Sequence, residues 1–265
     1  MKIYLSMKII DVVEQLMRTI LITGGAKRIG KSIAEELGYE SNRILIHYNN
    51  SDADAKKLQN DLENKKIEAF IYKADLSKEK DIINMLDKIT KDVGKDLDTI
   101  INCASVFEDD SAKNITVEDF SKHIDINLLA PILLSKHLCK IHRKDRDNNI
   151  INIIDQRVMR LNPSYFSYSV SKFGLWGVTQ MMAQEYSPTI RVNAIAPGPI
   201  LANHDQTTEM FDAEANNTPL QKQPSIKDIS NAIKFLLSTE SVTGQIIAID
   251  SGQHLSWKTP DFIEN

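Results

Sequence analysis

Cysteine is scarce in this chain: 2 among 265 residues, Cys103 and Cys139. So few thiols exclude a disulfide-framework domain and fit a reducing compartment, so a cytoplasmic protein is expected. Charge of one sign is lacking too, with 32 Lys and Arg against 36 Asp and Glu and a formal net charge of −4. No basic field is available for nucleic acid, and no such partner is expected. Long apolar runs are absent. In the N-terminal extension, residues 1–18, Asp11 and Glu14 break the apolar pattern and no small-residue cleavage site follows, which argues against a membrane span and a secretory signal. The extension reads either as a short amphipathic helix or as a stretch ahead of a translation start at Met17, and the second reading is preferred. His137 and His142 lie near Cys139, but their spacing aligns poorly on a helix and no second cluster completes a site, so no metal is expected.

What remains is a strong alternation of apolar runs. Short β-branched stretches near residues 19–23, 43–48, 67–72, 98–102, 149–154, 190–195 and 246–250 are separated by segments with helical periodicity. This predicts an α/β fold, a single domain over residues 19–257 with a doubly wound parallel sheet of about seven strands, followed by a tail at 258–265. Right-handed crossovers put ligand contacts at the carboxyl ends of the strands, where Gly24, Asn102, Asp155 and Pro197 fall. Residues 198–225 are polar and poor in regular pattern. They read as a mobile lid over the substrate or as an ordinary surface excursion.

Thr19-Ile20-Leu21-Ile22 runs into Thr23-Gly24-Gly25-Ala26-Lys27-Arg28-Ile29-Gly30 and then a helical pattern from Ser32 to Leu37. This is strand, glycine turn, helix: Gly24 takes the tight turn, Gly30 allows close packing, and the amides at the helix start face a pyrophosphate. An NAD site usually carries Asp or Glu at the end of the second strand, about 20 residues beyond the glycines, to bind the ribose 2′-hydroxyl. Here the strand ends His47-Tyr48-Asn49-Asn50-Ser51, with no carboxylate before Asp52. Lys27 offers a 2′-phosphate positive charge, and Ser51 with Asn49 or Asn50 offers hydrogen bonds, so NADPH is favoured over NADH. His47 either joins that pocket or is a strand-end spacer.

Tyr168 and Lys172 stand four residues apart, one helical turn, with Asp155 thirteen residues upstream of the tyrosine. A phenol with pKa near 10 is a poor catalyst at neutral pH, and lowering that value by about three units takes roughly 4 kcal/mol. The Lys172 ammonium, helped by a cofactor's positive nicotinamide, is the expected source.

Together these motifs resemble the short-chain dehydrogenase/reductase family from about Thr19 to Trp257, which implies a Rossmann fold. The resemblance implies further roles. Asp75 and Leu76 would border the adenine, Asn102-Cys103-Ala104-Ser105 would line the cofactor, and Asn127 would order a proton-relay water. Pro197-Gly198 would lie beside the nicotinamide, and a homotetramer would pack through helices starting near Thr116 and Tyr165. Three departures from the common pattern, Arg28, Asp155 in place of serine, and Ala104-Ser105-Val106-Phe107, resemble the pteridine reductase branch, including bacterial dihydromonapterin reductases. They imply hydride transfer from NADPH to a dihydropterin of the dihydromonapterin, dihydrobiopterin or dihydrofolate type.

The departures also make chemical sense. A carboxylate at position 155 disfavours the developing alkoxide of a ketone but suits a proton relay through Tyr168 to a basic ring nitrogen. Phe107 offers a flat face to a pterin, Arg28 can bridge cofactor phosphate and pterin carbonyl, and Ser105 adds a polar contact. The bland alternatives are core packing for Phe107, a surface charge for Arg28 and a structural cap for Asp155. Two rival functions stay open: a ketone or 3-ketoacyl thioester reductase, and a catalytically silent dinucleotide-binding scaffold, since Cys103 and Ser251 replace residues that relatives carry as Asn and Gly.

Overall fold

The computed structural model describes residues 17–39, 42–202 and 206–256. Residues 1–16 and the tail from 257 onward lie outside it, so the readings of the extension and tail fall on chain that is not described. The seven strands are β1 (Thr19–Ile22), β2 (Arg43–Tyr48), β3 (Ala69–Lys73), β4 (Leu97–Asn102), β5 (Asn148–Ile153), β6 (Ile190–Pro197) and β7 (Ile246–Ile249). They form one sheet in the order β3-β2-β1-β4-β5-β6-β7, parallel at every pairing. The predicted strands agree with these to within two residues at each end. A parallel sheet covered on both faces needs strands that are apolar on both sides, which is why they read as continuous Ile- and Leu-rich runs.

Successive side chains alternate between two cores. Ile20, Ile22, Ile44 and Ile46 face one side, packed under α1 (Arg28–Gly38), α2 (Asp52–Glu63) and α8 (Ile226–Ser238). Leu21, Leu45, Ile100 and Ile150 face the other, under α3 (Glu79–Val93), α5 (Ala130–Ile141) and α6 (Phe166–Glu185). Helix α4 (Val117–Ile124) runs through one turn of π-helix, Asp125–Leu129, into α5. Because β1 pairs with β2 on one side and β4 on the other, the chain reverses direction across the sheet at β1. A crevice opens above the carboxyl ends there.

The segment 198–225 is more ordered than its composition implies. It carries α7 (Thr208–Asn216), whose start is capped by Thr207 accepting from the Met210 amide. Phe211 and Ala215, four residues apart, are buried. Two apolar residues among polar neighbours make too weak a period to read in advance, but packing on one side suffices to hold the helix.

Candidate active site

The glycine turn is built for close approach. Gly24 sits at φ +63°, and a Cβ at Gly30 would fall 2.3 Å from the Gly24 carbonyl oxygen. Only glycine lets the first turn of α1 press so tightly on the loop. Behind it, His47 is buried, accepts the Gly24 amide at 3.0 Å on Nδ1 and lies 3.1 Å from the Ala74 carbonyl on Nε2. Burial drives its pKa down to about 4, so it stays neutral and braces the turn. Of the two readings of His47, this geometry favours the strand-end one, since both ring nitrogens are occupied. Thr23 performs a matching task, its hydroxyl accepting the amides of Cys103 and Ala104 at 2.9 and 3.0 Å.

Lys27 is exposed and pairs with Asp54 at 3.0 Å. Asn49 and Ser51 are surface residues at the end of β2, and Asp75 turns its carboxylate to Ser77 and Lys78, with Leu76 buried beside it. Of these only Lys27 lines the cleft, and the others follow the carboxyl ends of β2 and β3. The fit to a dinucleotide rests on the glycine cradle that a Cβ would fill and on the absence of a carboxylate at the β2 end.

A cleft of about 340 Å³ brings together Gly24, Lys27, Arg28, Ile29, Gly30, Cys103, Ala104, Ser105, Phe107, Asp155, Tyr168, Lys172, Pro197 and Gly198. At its floor the Tyr168 hydroxyl donates to Asp155 Oδ2 at 2.8 Å, and Asp155 Oδ1 accepts the Arg157 amide at 2.8 Å. Lys172 Nζ donates to the Ile153 carbonyl at 2.8 Å and lies 5.6 Å from the centre of the Tyr168 ring. Burial pushes the Tyr168 phenol well above its usual pKa, with the charge and hydrogen bond of Asp155 adding to it. The Asp155 carboxyl is also raised by burial, against the hydrogen bond from Arg157. Burial pushes Lys172 down to about 8.

In the chain by itself the Tyr168 pKa moves up, against the lowering expected from Lys172 and a bound nicotinamide. Desolvation and a neighbouring carboxylate both disfavour the phenolate, and together they outweigh the Arg157 cation. Tyr168 is held as a neutral phenol whose O–H is directed at Asp155 Oδ2, the state of a proton donor.

Two predicted residues sit behind the cleft wall. Asn127 uses all four of its hydrogen-bonding positions: it accepts from the Val106 amide and Ser105 hydroxyl, and donates to the Val106 carbonyl and Ser171. Its side chain ties the loop after β4 to α6. Asn102 likewise turns its amide to Asn152 at 2.8 Å, inside the sheet. Arg28 stands at φ +50° and its guanidinium donates to the carbonyls of Leu201 and Ala202 at 3.3 and 3.0 Å. It links the glycine turn to the segment leading into α7.

Sequence reading missed Tyr165. It caps α6 in the left-handed region at φ +55°, and stacks on Phe107 at 4.2 Å and 18°. Phe107 in turn meets Tyr168 edge-on at 4.6 Å. The arrangement is fixed by Asp110, whose carboxylate takes the Ser167 amide at 3.0 Å and the Ser167 hydroxyl. Arg157, Gln206, Phe211, Glu214 and Gln253 also line the cleft. None carries a sequence signal, because each reaches the site from a loop or helix placed by tertiary packing.

Residues 24–254 match the model of the enoyl-(acyl carrier protein) reductase family. The chain belongs to the short-chain dehydrogenase/reductase family. Among solved structures it is similar to FolM alternative dihydrofolate reductase 1 from Brucella canis complexed with NADP, 35% identical with a TM-score of 0.90, covering 95% of this chain and 99% of that one. The Brucella suis counterpart with NADP is 36% identical, TM-score 0.89, covering 93% and 98%. Among curated proteins, 3-oxoacyl-[acyl-carrier-protein] reductase FabG of Rickettsia bellii is 33% identical over 242 residues, 89% of this chain and 96% of that protein.

Proposed function

We propose that this short-chain dehydrogenase/reductase is an NADPH-dependent reductase of a 7,8-dihydropterin. The observation that carries the reading is the Asp155–Tyr168 pair at the cleft floor, joined at 2.8 Å. Reduction of a ketone builds negative charge on oxygen at this position, and a carboxylate beside it would oppose that charge. Reduction of a C=N bond requires a proton on a ring nitrogen instead, and a neutral phenol backed by a carboxylate can supply one. The two Brucella structures, at 35–36% identity and bound to NADP, support both cofactor and substrate class.

Bound NADPH supplies the hydride. Gly24, Gly30 and the first amides of α1 would hold its pyrophosphate, and Lys27 with Ser51 and Asn49 would favour a 2′-phosphate. Tyr168 would turn its O–H from Asp155 to the substrate ring nitrogen and pass it the proton, leaving a phenolate beside Lys172. Lys172, fixed by the Ile153 carbonyl, brings positive charge under the ring as that proton leaves. Phe107, locked between Tyr165 and Tyr168, forms an aromatic wall for a flat substrate.

A second reading, a 3-oxoacyl thioester reductase, is favoured by the curated relatives, several of which carry that name. The two separate by following NADPH oxidation at 340 nm with 7,8-dihydropterins, dihydrofolate and an acetoacetyl thioester side by side. Turnover of a dihydropterin that is lost in Tyr168→Phe is the expected result. Turnover of the thioester alone would overturn the proposal.

A further inference from the structure

Arg157 completes a closed ring of side chains around the reacting pair. Tyr168 donates to Asp155 Oδ2 at 2.8 Å and meets Phe107 edge-on at 4.6 Å. Phe107 stacks on Tyr165 at 4.2 Å, and the Tyr165 ring lies 5.1 Å from the carbon of the Arg157 guanidinium. The ring closes where Arg157 Nε stands 4.0 Å from Asp155 Oδ1. That distance is an ion pair and not a hydrogen bond. Oδ1 already accepts the Arg157 backbone amide at 2.8 Å, and the aromatic face holds the guanidinium at this remove. A guanidinium bonded directly to the carboxylate would compete with the Tyr168 hydroxyl for Oδ2. Held back, it adds positive charge beside Asp155 and leaves that oxygen to the tyrosine.

The charge matters because the site is largely withdrawn from water, the Asp155 and Arg157 side chains being 20% and 16% exposed. Burial raises the Asp155 carboxyl, against the amide and charge of Arg157, then the Tyr168 hydroxyl and the charge of Lys172. Lys172 reaches in from α6, fixed by the Ile153 carbonyl, with Cys103 of the loop after β4 beside it. Burial takes Lys172 down to about 8, so its charge is lost above that range, where a guanidinium keeps its own. On the turn at Gln253–Leu255, packed against residues 156–158, His254 is committed to Asp250 at 2.7 Å. The other charges lining the cleft are engaged elsewhere: Lys27 by Asp54, Arg28 by the Leu201 and Ala202 carbonyls, and Glu214 by Gln206 and Gln253.

We infer that Arg157 is a positioning residue that keeps Asp155 ionised and aligned on Tyr168, so that the phenol is presented as a proton donor. Its part in turnover rests on the dihydropterin reading, whereas its hold on Asp155 is measurable without substrate.

The test compares wild type, Arg157→Met and Arg157→Lys. With isotope-labelled aspartate carboxyls, the Asp155 signal is assigned by its loss in Asp155→Asn and followed by NMR against pH. Its midpoint moves up in Arg157→Met and part of the way back in Arg157→Lys. With NADPH and a 7,8-dihydropterin, kcat of Arg157→Met stays within about threefold of wild type at pH 8 and falls to about a tenth or less at pH 5, with KM within about threefold at both. Arg157→Lys recovers part of the activity at acid pH. An arginine that only packs the turn gives a loss that does not vary with pH. That result, or an unmoved carboxyl midpoint, would overturn the assignment while leaving the dihydropterin reading intact. A wild type that reduces no dihydropterin, with the midpoint moved in Arg157→Met, would overturn the substrate reading and leave the hold of Arg157 on Asp155 standing.

Discussion

Replacing Lys172 with methionine should make the protein more stable and inactive. Lys172 is 2% exposed, and burial pushes its ammonium from 10.5 to about 8. At about 1.36 kcal/mol for each tenfold change in proton affinity, carrying this charge at pH 7 costs the native state about 3 kcal/mol relative to the unfolded chain. Methionine keeps much of the length without the charge but forfeits the hydrogen bond to the Ile153 carbonyl, worth about 1–2 kcal/mol. The balance is a gain of about 1–2 kcal/mol at pH 7, or about 2–6 °C in Tm for a chain of this size.

The sign with pH follows from the lowered pKa. Between pH 8 and 10.5 the native state binds fewer protons than the unfolded chain, so wild-type stability rises with pH across that window. The cost is fully present below pH 8 and gone above 10.5, so the advantage of the variant shrinks and at pH 10 is mostly lost. Urea unfolding followed by tryptophan fluorescence at pH 7 and pH 10 measures both. A variant less stable than wild type at pH 7, or a difference independent of pH, would refute the reasoning.

Tyr168→Phe removes the proton donor and should lower kcat by about 10²- to 10⁴-fold while the NADPH dissociation constant stays within about threefold; a loss in binding of the same size as the loss in kcat would place the hydroxyl in cofactor binding instead. Gly30→Ala puts a Cβ 2.3 Å from the Gly24 carbonyl, so NADPH binding, read by nucleotide fluorescence, should weaken more than tenfold by about 1.4 kcal/mol or more, and binding within twofold of wild type counts against the glycine cradle. His47→Gln addresses acid stability. The His47 pKa of about 4 means that its contribution is present above pH 6.5 and lost, by about 3 kcal/mol, as pH falls through 4. Asp98, raised to about 6 by burial, has the opposite sign, its contribution falling as pH rises through 6, and the two offset one another in the wild type. Relative to wild type, His47→Gln should therefore gain stability between pH 6.5 and 4 in urea titrations, and a constant difference would exclude His47 as the titrating group.

The sequence by itself determined the sheet. Parallel strands buried on both faces must be apolar runs, and crossover helices must show one apolar stripe, so both were legible without a fold. It also determined the glycine turn, where tight approach leaves only Gly24 and Gly30, and the Tyr168–Lys172 pair, because one helical turn has a fixed length. Tertiary structure alone decided what those groups do. The ring of Tyr168 faces Lys172, but its hydroxyl goes to Asp155 on another element, and the depth of burial sets the direction of all three pKa shifts. His47, read as a cofactor contact or a strand-end spacer, and Asn127, read as part of a relay, spend their side-chain hydrogen bonds bracing loops. Arg157 and Tyr165 had no signal at all. Their meaning lies in contacts between the loop after β4, the turn after β5 and the start of α6, segments that spacing along the chain does not relate, and in desolvation, which belongs to the packed structure and not to any one residue.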